Sequence, residues 1–175
     1  MSLPISKQNL AQMETQIHQD VVIRRALPID AEIVAAITAA AYAKYVPRLG
    51  REPQPMTADY NQMLAEHPVW LLCLGNQPAG LLVLMRAPDH LLIYNVAVSP
   101  AYQKQGLGRQ LLAWAEKEAH EEGYSLIRLY TNEMMTENIA LYQRCGYAEV
   151  ARESYMGSIL IHMAKRLDNQ DRRSF

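Results

Sequence analysis

Ser99-Pro100-Ala101-Tyr102-Gln103-Lys104-Gln105-Gly106-Leu107-Gly108-Arg109 follows an apolar run that stops at a proline, and it passes through two glycines into a long amphipathic pattern. A strand-to-helix turn of this kind leaves the first N–H groups of the helix without intrahelical partners, where the macrodipole is positive. Such a place suits an anion, a phosphate above all. Gly106 and Gly108 lack a Cβ and let the main chain come close to it, while Lys104 and Arg109 add charge. The competing reading is an ordinary connection, since a [QR]xxGx[GA] string arises by chance in about one chain in five of this length. The turn has neither the GKS/GKT of a P-loop nor the GxGxxG of a dinucleotide fold. Its surroundings therefore have to decide.

Other chemistry is limited. The chain has 175 residues with 17 basic and 18 acidic side chains, a formal charge of −1 that provides no broad positive field for nucleic acid. Cys73 and Cys145 stand alone, without CxxC or metal-ligand spacing and without an identifiable histidine partner, so they read as buried or incidental thiols. No metal is expected. Neither a signal-peptide core nor a membrane-length apolar run is present, which leads to the expectation of a cytoplasmic protein, monomer or homodimer, that meets no membrane.

The elements that must position the turn can be read from periodicity. Val21–Arg24 reads as a strand, and Pro28-Ile29-Asp30 opens a helix with Ile33, Val34, Ile37, Ala41 and Tyr45 on one side. Prolines 47, 53 and 55 with Gly50 mark a loop, and a second helix fits Thr57–Glu66 with Thr57 as its cap. Val69–Leu74 and Gly80–Met85 make a hairpin, and a third strand, Leu91–Val98, runs to the turn. Leu107, Leu111, Leu112, Ala115 and Ala119 recur at helical intervals up to Gly123. A strand at Ser125–Thr131, a helix at Thr136–Cys145 and two strands broken near Met156-Gly157-Ser158 complete the order β-αα-βββ-α-β-α-ββ. This order predicts an α/β (α+β) domain over residues 20–167, with a mixed, mostly antiparallel, twisted sheet of about seven strands covered by helices. Residues 1–19 are expected to be an extension with a possible short helix, and 168–175 a polar tail.

With the turn at Gln103, Gly106 and Gly108 after the strand, and Glu137-Asn138-Ile139-Ala140-Leu141-Tyr142-Gln143-Arg144-Cys145-Gly146-Tyr147 further on, the sequence resembles the GNAT superfamily of N-acetyltransferases. The second segment is similar to that family's N-x-A-x-Y-x-x-x-G-[FY] stretch, and the likeness spans about Val21 to Lys165. The resemblance implies that acetyl-CoA is the co-substrate, its pyrophosphate on the backbone of Gln105, Gly106, Leu107, Gly108 and Arg109, with Gln103 and Lys104 beside it. It implies that Val96, Ala97 and Val98 hold the pantetheine arm and polarise the thioester, a task suited to preorganised N–H donors because acyl transfer builds charge on that oxygen. Asn138 matches a cofactor contact. Tyr142 matches the general acid that protonates the departing thiolate.

The resemblance leaves the base open. An amine of pKa near 10.4 is neutral in only about one molecule in 2,500 at pH 7, a deficit of roughly 4.6 kcal/mol. Many family members carry a glutamate on the strand before the turn, but Leu91-Leu92-Ile93-Tyr94-Asn95-Val96 has no carboxylate. Glu133 is the first candidate, followed by Asp89, His90 and a water held by Tyr94 or Asn95. The acceptor, a small-molecule or peptide amine, is expected along the segment Tyr45–Met56 and beside Tyr94. There Arg48 and Arg51 can hold a carboxylate or phosphate, or else pair with local acids. Three functions follow: an N-acetyltransferase acting by direct attack in a ternary complex, a catalytically silent acyl-CoA-binding module, or a site for another phosphorylated ligand.

Overall fold

The computed structural model describes residues 20–167; the short helix expected within 1–19 and the tail 168–175 lie outside the described residues. Seven strands, β1 Val21–Arg25, β2 Val69–Leu74, β3 Gln77–Arg86, β4 Leu91–Val98, β5 Leu126–Asn132, β6 Ala148–Tyr155 and β7 Ser158–Arg166, form one sheet. Its order is β1-β2-β3-β4-β5-β7-β6. The helices are α1 Ala31–Tyr42, the single turn α2 Val46–Leu49, α3 Tyr60–Glu66, α4 Leu107–Glu121 and α5 Thr136–Arg144. Only β4 and β5 run parallel, because α4 carries the chain back between them; every other pair is antiparallel. This is the expected topology, with α2 added inside the expected loop.

Period-two alternation sorts the sheet's side chains into two cores. Leu71, Leu81 and Val83 lie under Val34, Ile37 and Ala41 of α1. Leu72, Leu82 and Leu84 lie under α4, whose Leu107, Leu111, Leu112, Ala115 and Ala119 are all buried as their spacing requires. Leu111 and Leu112 are almost fully covered, each worth about 1.5–3 kcal/mol relative to exposure. One helix cap differs from expectation. The cap of α3 is Asp59, whose carboxylate accepts from the N–H groups of Asn61 and Gln62, while the Thr57 hydroxyl donates to the Gln54 carbonyl one turn earlier. A carboxylate at a helix N-terminus has the charge advantage over a hydroxyl.

The irregularity that matters most is in β4. Val83 pairs with Asn95 and Leu84 with Ile93, so Tyr94 has no partner on β3 and forms a β-bulge. Before it, Leu91 and Ile93 belong to the α4 core; after it, Ala97 belongs to the α1 core. The parallel ladder to β5 covers Leu91, Leu92 and Ile93 and ends at the bulge. Asn95–Val98 therefore remain paired to β3 alone, and Tyr94 to neither neighbour. The strand bends away from β5, and a gap opens between them.

Candidate active site

The turn after β4 presents its backbone donors to the cleft. Lys104 and Gly106 both have left-handed backbones, φ 64° and 80°, the second being the conformation for which glycine carries no steric cost. The first helical bond of α4 is Gln110 N–H to the Gly106 carbonyl, and the N–H groups from Lys104 to Arg109 meet no acceptor among the described residues. The Gln103 side chain donates to the Val98 carbonyl at 2.9 Å and clips the turn to the end of the strand. Gly108 faces α5 closely: a Cβ there would stand 3.3 Å from Leu141 Cδ2.

From this turn a cleft of about 480 Å³ runs into the gap between the strands. The residues expected to hold a cofactor converge on it: Val96, Ala97, Val98, Gln103, Lys104, Gly106, Leu107, Gly108, Arg109, Asn138 and Tyr142 line it, and Gln105 does not. Lys44 and Arg144 join Lys104 and Arg109, so four cations face one carboxylate, Glu137. Glu137 is already taken. The Arg48 guanidinium grips it with two bonds of 2.9 and 2.8 Å and, with a backbone N–H, holds its carboxyl down at about 2. The cleft wall is thus strongly positive where the free amides point.

Tyr142 stands at the inner end, 5 % exposed, lining both this cleft and a second, smaller cavity. Its hydroxyl bonds to no other described residue. Burial pushes its phenol well above the ordinary value, with Tyr45 and Cys145 adding to the effect, so the group keeps its proton as a donor at neutral pH. Tyr42 also separates the two spaces and donates to Asn95 Oδ1 at 3.1 Å. Asn95 in turn donates to Thr38 and to the Tyr60 hydroxyl, which consumes its amide in bracing α1 and α3 against β4. Tyr45 lines the cleft rather than the second cavity, donates to Asn138 Oδ1 at 3.1 Å, and is pushed up to about 12 by burial.

The second cavity, about 60 Å³, lies on the far side of Tyr142. Tyr42, Tyr94, Tyr130, Tyr142 and Tyr155 surround it, and among the described residues Arg51 is the one charged side chain on its wall. Burial pushes Tyr94 up to about 12, with Tyr130, Tyr60 and Tyr155 contributing. Among the described residues no carboxylate lines this cavity. Glu133 lines neither space; its N–H bonds to the Ile159 carbonyl and its charge acts on Arg152. Arg48 also lines neither, being held by Glu137 and stacked 5.4 Å from the Tyr45 ring. Asp89 and His90 pair with each other at 2.7 Å just before β4, and His90 is seven residues, about 23 Å of extended chain, from Ala97.

Sequence reasoning missed Tyr42, Tyr130 and Tyr155. Only Tyr42 left a local signal: with Thr38 it forms a polar-tipped i, i+4 pair inside the apolar side of α1.

A sheet split beside a donor-rich turn, with a buried tyrosine at its end, describes an acyl-transfer class of fold. The acetyltransferase (GNAT) family model matches residues 34–147, and the chain belongs to that family. It is 35 % identical over 74 residues to the uncharacterised N-acetyltransferase YvbK of Bacillus subtilis, covering 42 % of this chain and 48 % of that one. It is 37 % identical over 68 residues to the ribosomal protein bS18-alanine N-acetyltransferase of Escherichia coli, 38 % of this chain and 46 % of that one. The chain spans about half the length of these curated relatives. The solved Escherichia coli ribosomal-protein-S18-alanine N-acetyltransferase superposes with a TM-score of 0.70 at 22 % identity, covering 89 % and 99 % of the two chains. A Bacillus subtilis acetyltransferase in complex with CoA gives 0.68 at 20 % identity, covering 85 % and 99 %. These structural likenesses are of fold. No described helix is long and apolar enough to cross a membrane.

Proposed function

We propose that the protein moves an acetyl group from acetyl-CoA to the primary amine of a small molecule or peptide, by direct attack in a ternary complex. One observation carries this reading: a single cleft leads from unpartnered turn amides and four cations, past a strand unzipped from its parallel neighbour, to a buried tyrosine hydroxyl. Its fold neighbour from Bacillus subtilis is described in complex with CoA, and the Escherichia coli relative acts on an alanine of ribosomal protein bS18.

In this reading the turn from Gln105 to Arg109 holds the diphosphate, with Lys104 and Arg144 beside it. The unzipped stretch Val96–Val98 supports the arm and polarises the thioester carbonyl. The acceptor nitrogen enters from the second cavity and forms the new C–N bond as the C–S bond breaks. Tyr142 gives its proton to the departing thiolate. The ammonium proton leaves through water at Tyr94, whose hydroxyl has no partner among the described residues, since Asn95 is spent on bracing and Glu133 lines neither space.

Titration calorimetry with acetyl-CoA, followed by thiol release across an amine panel, tests the reading. Binding and turnover support it; no heat and no rise in melting temperature with CoA would sink it. The absence of a carboxylate around the second cavity favours a second reading, a silent acyl-CoA-binding module. Tight binding with no active amine would select that one.

A further inference from the structure

We infer that the acceptor amine carries an oxyanion, a carboxylate or phosphate, and that Arg51 holds it in the second cavity. The inference rests on the acetyl-transfer reading above and specifies its substrate class.

Arg51 lines the second cavity and is not among the arginines of the fold that are committed to acids. Arg24 is paired with Asp30, Arg48 with Glu137, Arg86 with Glu122 and Arg152 with Glu149. Arg51 has neither an acidic partner nor a hydrogen bond among the described residues. Its guanidinium instead lies over the Tyr155 ring, 5.2 Å from the centroid. The ring contact occupies no N–H donor, so the guanidinium's donors stay available for bidentate capture of a carboxylate or phosphate. The neighbouring Asn132 supplies no substitute, because its amide already donates to Ser158 and its oxygen accepts from the Met134 N–H.

The rest of the wall points the same way. Among the described residues no carboxylate lines the cavity, so a second ammonium would meet no anion there and would be repelled by Arg51, which disfavours diamines and polyamines. A monoamine alone would meet Arg51 as a like charge, whereas an amine bearing an oxyanion supplies the missing partner. The guanidinium also favours the neutral, attacking form of the nitrogen, which lightens the task left by the missing base.

The test measures thiol release from acetyl-CoA with amino acids against their carboxamides, and with phosphoethanolamine against ethanolamine. The expected result is a preference for the anionic partner of about tenfold or more in kcat/KM in at least one series, carried mainly by KM. Arg51→Gln should bring that ratio to about one and Arg51→Lys should restore part of it, as a charge-assisted contact requires. Equal use of neutral and anionic partners, or a preference that survives Arg51→Gln in a variant with unchanged melting temperature, overturns the inference. So does acetyl-CoA binding with no turnover of either series. Failure of acetyl-CoA to bind overturns the underlying reading instead.

Discussion

The two cavities that meet at Tyr142 are made of different materials. The larger is walled at its outer end mostly by one segment of the chain, Val96–Val98 and Tyr102–Arg109 apart from Gln105. The smaller is walled by side chains from separate segments: Tyr42 on α1, Arg51 after α2, Tyr94 on the bulge, Tyr130 on β5 and Tyr155 on β6. A backbone site is indifferent to many side-chain changes and recognises what all its ligands share. A side-chain site changes with each substitution, and so is suited to selecting among acceptors.

The largest expected effect falls on Tyr142, which with Tyr42 lines both cavities. Tyr142→Phe should lower kcat by about 10²–10³-fold while leaving acetyl-CoA affinity unchanged. A matched loss of affinity in calorimetry would make the tyrosine a wall rather than an acid. Asn95→Leu should act on the side-chain half. It strands the buried Tyr42 hydroxyl, costs about 1–3 kcal/mol in urea denaturation, and raises acceptor KM more than it weakens acetyl-CoA.

Gly80→Ala should act on the backbone half. Gly80 lies opposite Val98, and a Cβ there would come within 2.9 Å of the Ala97 carbonyl oxygen and 3.1 Å of Leu111 Cδ1. The expected cost is about 1–3 kcal/mol of stability, with acetyl-CoA affinity falling more than acceptor affinity. The smallest effect belongs to the Arg48–Glu137 clasp at the rim. Its folded pKa is depressed from 4.5 to about 2, so its contribution is complete above about 4.5 and disappears as pH falls through about 2. The difference in melting temperature between the protein and Glu137→Gln should therefore be constant near neutrality and shrink in acid. A difference that persists at pH 2 would show that the carboxylate acts by shape alone.

These contrasts explain what could be read in advance. The turn, the buried stripe of α4 and the Asn138–Tyr142 spacing are local patterns, written within one element each. The bulge at Tyr94 is not, because Leu91–Val98 is apolar on both faces up to Asn95 and offers no break in alternation to reveal it. Arg48 and Arg51 look equivalent in sequence. The helical turn Val46–Leu49, closed by Gly50, sends the first to Glu137 and leaves the second on the cavity wall. Asp59 outcompetes Thr57 as a cap because the helix starts three residues later than periodicity suggested. Tyr130 and Tyr155 come together with Arg51 only through the order β5-β7-β6, a pairing that no short window of sequence contains.

The unpartnered residue in β4 has a consequence for how this chain tolerates shortening. Removing Tyr94 should restore odd-even parity along the strand and let it pair onward against β5, narrowing the opening while the residues of the Gln103–Arg109 turn stay unchanged. The vacant slot through the middle of the molecule is one residue deep in the gene, and a deletion there should abolish ligand entry while leaving a well-folded sheet.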